Sequence, residues 1–144
     1  MDQRVMDSPV LHSLVDRLRA HERLQELAAA LPTRARVSEP VLPLVLAALH
    51  EELTDNGHEQ GLIALLPEDA DARDVAEAAA WFVGDEQVAL LPSRGVRFGS
   101  GLEPPPHLVG ERARALELLA RGGLVCASAL ALAEPMPPPE ARPA

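Results

Sequence analysis

The hydrophobic positions of the chain follow two kinds of pattern. Short runs of consecutive apolar residues, bounded by glycine, proline or serine, occupy residues 61–67 (GLIALLP), 87–91 and 124–128 (LVCAS). Such runs are typical of strands in a buried sheet, and the first of them is expected to be buried on both faces. The sequence therefore predicts three strands.

Longer stretches carry apolar residues at spacings of three and four, which predicts helices around these strands. The helices are expected over residues 9–30, 41–54, 68–83 and 108–121, with a short helix from a Ser128 cap through Glu134. Ser8 is a candidate cap for the first helix. In that helix the apolar stripe changes sides. This indicates either a break near residues 20–22 or one helix whose two halves contact different parts of the protein.

Three segments lack such a pattern. Residues 92–107 contain four prolines and three glycines, and an irregular loop of this length is usually functional or mobile. Residues 135–144 contain five prolines, which favours a linker that does not pack. Residues 32–40 are mostly polar and are expected to form a connector or one short strand.

Strands that alternate with helices imply crossover connections and a parallel sheet. The expected fold class is α/β: a three-layer domain with a small, mostly parallel sheet of three or four strands flanked by helices. The length of 144 residues suits one compact domain. Its core is expected to be aliphatic, because Ala and Leu contribute 24 residues each and there are only one Trp and two Phe.

Composition excludes several kinds of chemistry. All 13 basic residues are arginine, so the chain has no lysine for a phosphate-binding loop, a Schiff base or a general base. The 22 acidic residues give a net charge of -9, which argues against independent nucleic-acid binding, because a phosphate backbone requires cations. The single cysteine, Cys126, excludes an internal disulfide and is expected to be a small core residue rather than a nucleophile.

The chain shows no targeting or membrane signal. Its first residues include acids and no long apolar core, unlike a secretory signal. No apolar stretch approaches the roughly 18 residues that span a bilayer. We expect a cytoplasmic protein without membrane contact.

Catalytic and binding motifs are missing where this fold class would place them. Ligands of an open parallel sheet bind beyond the carboxyl ends of the strands, here after Leu66, Leu91 and Ala127. The segment after Leu66 is PEDAD, whose negative charges would repel a phosphate. His50 and His58 flank two glutamates, but without the two-turn pairing of a zinc motif, which favours a solvated helix end. We predict no catalytic residue, no cofactor site and no metal site.

The arginines give a more specific signal. Arg94 and Arg97 lie in the long loop, and Arg112 and Arg114 lie in the first turns of the following helix. Arg112 falls inside the apolar stripe of that helix. One possibility is that the guanidinium reaches the rim of the apolar stripe while the aliphatic part of the side chain packs against it. The other is a fork-shaped contact to a carbonyl or carboxylate that pins the long loop.

The order of these motifs resembles a known family. The chain presents LIALLP, an acid-capped helix, VALLP, a Pro/Gly loop and then HLVGERARALELLARGGLVCASALALAEPMP. This order is similar to the N-terminal segment of bacterial transcription-repair coupling factors, a degenerate copy of the first motor domain of the excinuclease B subunit. The family's loop has Leu and Pro ahead of an Arg-x-x-x-Leu helix, matched here by Leu102, Pro104, Arg112 and Leu116. The resemblance covers residues 37–139.

The resemblance implies a division of the chain and a role. Residues 1–36 would be a helical extension, residues 37–134 a degenerate motor-like domain, and residues 135–144 a Pro-rich linker to a following module. The parent protein would be an ATP-dependent DNA translocase that acts on stalled RNA polymerase and recruits the excinuclease A subunit for nucleotide excision repair. This chain would be a non-catalytic scaffold that contacts the following domains of the same polypeptide and binds no cofactor.

Contacts that pin the loop or join domains are then expected at Arg94, Arg97, Leu102, Pro104, Arg112 and Arg114. Two other functions stay open. The chain is alternatively a free-standing acidic adaptor whose divided first helix binds a partner, or a small nucleotide-binding enzyme that uses residues 92–107 as a lid.

Overall fold

The structure, a computed structural model, describes residues 9–97, 99–136 and 140. Its helices and strands, in chain order, are α1 (Pro9–Arg19), α2 (Glu22–Ala29), a 3₁₀ turn (Glu39–Val41), α3 (Leu42–Asp55), β1 (Leu62–Leu66), α4 (Asp69–Val83), β2 (Val88–Leu91), α5 (Pro106–Ala120), β3 (Leu124–Ser128) and α6 (Ala129–Ala133).

The three strands form one parallel sheet in the order β1-β3-β2. Leu124 of β3 pairs with Leu62 on one side and with Val88 on the other, so β3 is the central strand. Helices cover both faces, α3 and α4 on one and α5 and α6 on the other. The predicted three-layer α/β fold with a small parallel sheet is confirmed.

The face under α4 is packed through alanines. Ala72, Ala76, Ala79 and Ala80 are buried, and their spacing places them on one side of the helix. They contact Ala64, Leu66, Val88, Leu124 and Cys126 of the sheet, with Leu42 and Leu46 of α3 beside them. Small side chains bring the helix close to the strands, so a core with very few aromatic residues still fills its volume.

The opposite face is covered only in part. The core under α5 and α6 contains Ala89 and Leu91 of β2 and Val125 and Ala127 of β3, but no residue of β1. Ile63 and Leu65 of β1 are therefore 42% and 60% exposed. The prediction that the first strand is buried on both faces is wrong. The reason is the connection: α5 joins β2 to β3 and lies over those two strands, which leaves the edge strand open.

The first helix breaks where its apolar stripe changes sides. α1 ends at Arg19 and α2 begins at Glu22, and the ring of His21 accepts a hydrogen bond of 3.2 Å from the backbone N–H of Arg23 as its cap. Val15 of α1 and Leu24 of α2 both pack on Ala47 and Ala48 of α3. Of the two predictions for this segment, the break is confirmed. The candidate cap Ser8 lies outside the described residues.

The other element ends lie close to their predicted positions. α3 ends before Gly57, which has φ = +85°, a value that favours glycine. α5 begins at Pro106, two residues earlier than predicted, because proline suits the first helical position. Residues 32–38 form no strand, so this segment is a connector. Met136 is half-buried against the core under α5, a packing contact that was not predicted for this Pro-rich segment; residues 137–139 and 141–144 lie outside the described residues.

No helix among the described residues combines the length and the apolar character needed to cross a membrane.

The two adjacent leucines of β1 test this arrangement directly. Leu66 faces α4 and is buried, whereas Leu65 faces the open side. We expect Leu66→Ala to lower the free energy of unfolding by about 2–3 kcal/mol through lost burial and a cavity. We expect Leu65→Ala to cost only about 0.5 kcal/mol. Urea denaturation followed by circular dichroism measures both, and equal losses would mean that an element covers the outer face of β1.

Candidate functional site

Polar side chains meet where the strands end. The loop after β1 leads to α4 on one face of the sheet, and β3 leads to α6 on the other face. The crevice between two such connections is where open parallel sheets bind their ligands. Five polar residues lie here and are called the carboxyl-edge cluster: Asp69, Ser93, Arg112, Ser128 and Glu134.

Asp69 bridges the crevice. Its carboxylate accepts a hydrogen bond from the hydroxyl of Ser128, at the end of β3, and one of 2.9 Å from the backbone N–H of Ser93, after β2. Burial by itself raises the pKa of Asp69, but the hydrogen bonds from Ser128 and Ser93 outweigh it and hold this pKa below its ordinary value. Asp69 is also the first residue of α4, so an ionised carboxylate sits at the positive end of a helix.

Ser128 is occupied on both sides. Its hydroxyl donates to Asp69, and its oxygen accepts a hydrogen bond of 3.1 Å from the backbone N–H of Ala131, which caps α6. Within the described part of the chain, no histidine is a hydrogen-bond partner of Ser128. The hydroxyl is thus engaged by Asp69 and by the first turn of α6, and this arrangement supports a helix cap.

Arg112 ties the long loop to the rest of the cluster. The residue is only 8% exposed, and its Nη1 donates to the carbonyl of Pro92 at 2.6 Å and to the carboxylate of Glu134 at 3.1 Å. The same carboxylate oxygen accepts a hydrogen bond of 2.7 Å from the backbone N–H of Arg94. The guanidinium therefore contacts a carbonyl and a carboxylate at the base of the loop, and does not lie at the rim.

The pKa of Arg112 is lowered, and burial is the largest cause. Burial lowers its pKa, Glu134 raises it, and the charge of Arg94 lowers it again. The Nη2 atom is buried and has no hydrogen-bond partner among the described residues, so the contact is made through one nitrogen and is not a two-pronged fork. A buried ion pair of this kind is costly to break, because the partner is left as an uncompensated charge.

The other predicted contact residues are dispersed. The backbone N–H of Arg94 donates to Glu134 of the cluster, whereas Arg97 is exposed and Leu102 is 68% exposed. Pro104 is half-buried. Arg114 points away from the cluster, and its Nη2 donates 2.8 Å to the carbonyl of Asp85 before β2. Of the six predicted residues, the structure brings Arg94 and Arg112 together.

Four members of the cluster were missed by reasoning from the sequence. Ser128 was predicted only as a helix cap, and the places of Ser128 at the end of β3 and of Asp69 shortly after β1 are the signal that would group them. Ser93 lies next to the end of β2 and gave the same signal. Nothing in the sequence marks Glu134, which reaches Arg112 only because α6 folds back over β3.

Of the two histidines predicted at a solvated helix end, His58 is exposed and His50 is not. His50 is 5% exposed, so the expectation of a solvated helix end is wrong for this residue. Burial lowers its pKa, which a hydrogen bond to Gln87 only partly offsets. The position of His50 near the end of a helix predicts exposure. However, α3 packs the side that carries His50 against the rest of the domain.

One group of potential metal ligands is present that the sequence did not indicate. His12, Asp16 and Glu51 place ligand atoms within 4.8 Å of one another. The carboxylate of Glu51 already accepts a hydrogen bond of 3.3 Å from Arg19, which also pairs with Glu52 and Asp55. The positive charge of Arg19 opposes a second cation at Glu51, so we assign no metal site here.

Cys126 is a core residue, as predicted. It is fully buried in the central strand, and burial raises its pKa to about 12. The thiolate, which is the reactive form, is therefore not populated at neutral pH.

The role of Arg112 can be measured against a matched arginine on the same helix. We expect Arg112→Met to lower the free energy of unfolding by about 3 kcal/mol, because Glu134 would remain buried without its partner. It should also speed tryptic cleavage after Arg94 and Arg97. Arg114→Met, which removes one exposed contact, should cost less than about 1 kcal/mol and leave cleavage unchanged. Equal effects of the two variants would contradict a pinned loop.

The carboxylate of Asp69 should make stability depend on pH. Its folded pKa is lowered, so its contribution is present above the unfolded pKa of about 3.9 and is lost as the pH falls through the folded value. At pH 7 we expect Asp69→Asn to cost about 1 kcal/mol, with the difference from wild type shrinking below about pH 4. Asp74→Asn, at an exposed position of α4, is the control and should show no such trend in urea titrations at each pH.

Comparison of the chain with protein-family models, with curated proteins and with solved structures gave no match.

Proposed function

We propose that this chain is a non-catalytic scaffold module that begins the excinuclease-B-like region of a transcription-repair coupling factor. Its task would be to hold the following domain of the same polypeptide in position, in support of recruiting the excision-repair machinery to stalled RNA polymerase. The excinuclease A subunit and RNA polymerase would be partners of the parent protein rather than of this chain by itself.

The observation that carries the proposal is the carboxylate in the sheet crevice. A nucleotide site needs backbone N–H groups and a cation at the head of a helix. In this chain the head of α4 is occupied by Asp69, and Asp71 accepts a hydrogen bond of 3.2 Å from the backbone N–H of Glu68. The position that would hold a phosphate already carries two negative charges, and the chain has no lysine to neutralise them.

A second line of support is the rigid base of the long loop. A mobile lid requires an anchor that can open, whereas Arg112 joins the start of this loop to α6 through buried hydrogen bonds. A scaffold benefits from such a fixed connection, because it transmits position rather than admitting a substrate. The buried arginine is also the Arg of the Arg-x-x-x-Leu motif, on which the resemblance rests, and Leu116 is buried one turn further along α5.

Exposed apolar positions agree with packing against another domain. Ile63 and Leu65 stand on the open face of the edge strand β1. These two side chains offer apolar contacts to a partner that lies on the edge strand. In the proposed arrangement, the following module of the same polypeptide would be that partner.

A nucleotide titration tests the absence of a phosphate site. The ¹⁵N-labelled chain is titrated with a non-hydrolysable ATP analogue and Mg²⁺, and amide shifts are followed at residues 68–71, 93–94 and 128–131. We expect no saturable shift, since Asp69 and Asp71 repel the phosphates. An ATPase with a phosphate-binding loop serves as the positive control, and saturation in the micromolar range would favour the nucleotide-binding enzyme instead.

The coupling-factor assignment has its own test. The reading frame downstream of Ala144 is expected to continue into an excinuclease-B-like module and a translocase. In the purified longer protein, the backbone amides of Ile63 and Leu65 should exchange their hydrogens more slowly than in this chain alone. A stop codon directly after Ala144 would contradict the assignment and leave the free-standing adaptor. The groove beside the N-terminal helices, described in the next subsection, favours that alternative.

A further inference from the structure

A groove lies between the N-terminal helices and the connector that follows them. Its volume is about 650 Å³, and its walls come from α1, α2, α3 and residues 33–37. Leu18, Leu27 and Val45, all half-buried, contribute apolar side chains, and Arg23, Arg34 and Arg36 carry the positive charge along it. We call this feature the arginine-rimmed groove. It is separate from the carboxyl-edge cluster and from the open face of β1.

The charge of the groove is opposite to that of the chain. Three arginines face a single carboxylate, Glu26, among the groove residues, although the whole chain has a net charge of -9. The groove therefore concentrates positive charge in an acidic protein. Charge complementarity of this kind selects partners and speeds their association.

The arginines of the groove differ from the structural arginines of the same chain. Arg19 pairs with Glu51, Glu52 and Asp55, and Arg112 pairs with Glu134. Within the described ranges, the guanidinium groups of Arg23, Arg34 and Arg36 make no hydrogen bond and no ion pair, and all three residues are exposed. Their donors are available to an incoming acceptor.

The connector offers backbone groups as well. Residues 33–36 are exposed and belong to no helix or strand, and no backbone hydrogen bond in the described part of the chain involves them. An extended peptide that lies along such a segment can pair with its N–H and C=O groups, as in strand addition. Side chains of that peptide would alternate between the apolar wall and the arginines.

We infer that the arginine-rimmed groove binds an acidic, amphipathic peptide segment of a partner protein, with apolar side chains against Leu18, Leu27 and Val45 and carboxylates on Arg23, Arg34 and Arg36. The apolar wall disfavours a phosphate backbone, which has no apolar side chain to bury. The net charge of the chain disfavours an anionic membrane, which presents a large surface of like charge. A short acidic peptide meets only the positive part of the molecule.

The experiment uses a short synthetic peptide of alternating glutamate and leucine, titrated into the full ¹⁵N-labelled chain. Amide shifts are expected at residues 18–37 and at Val45, with binding that weakens as the salt concentration rises from about 0.05 to 0.5 M. Peptides of alternating lysine and leucine, and of alternating glutamate and serine, should bind at least about tenfold more weakly, because each lacks one of the two complementary features.

A matched pair of charge reversals locates the site. Arg34 lies in the groove and Arg17 lies on α1 outside it, and both are exposed. We expect Arg34→Glu to weaken peptide binding by about fivefold, the scale of one exposed ion pair, and Arg17→Glu to change it by less than about twofold. Neither side chain makes a contact that the fold requires, and circular dichroism confirms that both variants fold.

Several results would overturn the inference. One is the failure of the glutamate–leucine peptide to bind at millimolar concentration. Another is an equal effect of Arg17→Glu and Arg34→Glu, which would reduce the binding to net charge. Shifts centred on the open face of β1, or tighter binding of single-stranded DNA or of anionic vesicles than of the peptide, would assign the groove to a different ligand or to none.

Discussion

The buried guanidinium of Arg112 is the contact on which the carboxyl end of the sheet depends. It joins the carbonyl of Pro92 after β2, the carboxylate of Glu134 after α6 and, at 3.4 Å, the carbonyl of Ala131. A charge this deeply buried is tolerated only when its partners are in place. The start of the long loop, the last helix and α5 are therefore fixed together, and the sheet is closed where other α/β proteins keep an opening.

The second closure is made by Asp69, and it decides what the crevice can do. A carboxylate lies at the head of α4, the kind of position at which a helix N-terminus can bind a phosphate. Ser128 and Ser93 stabilise its ionised form by hydrogen bonds. In the proposed function this fold serves as a framework without catalysis, and the arginine-rimmed groove is the proposed binding surface.

Local patterns predicted most of the fold because each element carries its own signal. The apolar runs gave β1, β2 and β3 within one residue, and the change of stripe in the first helix gave the break at residues 20–22. The exposure of Leu65 and the burial of His50 were not predictable in this way. Both depend on which helix lies over which strand. Neither the apolar run of a strand nor the sequence at a helix end contains that information.

The sequence by itself determined the class of the domain, its alternation of strands and helices, and the loss of lysine chemistry, because periodicity and composition are properties of the chain alone. Only the tertiary structure decided that Asp69, Ser93 and Ser128 meet, that Glu134 reaches Arg112, and that three arginines surround one groove. These side chains come from segments far apart in the chain. Their distances are set by how the helices pack on the sheet, since no local preference encodes a contact across such a separation.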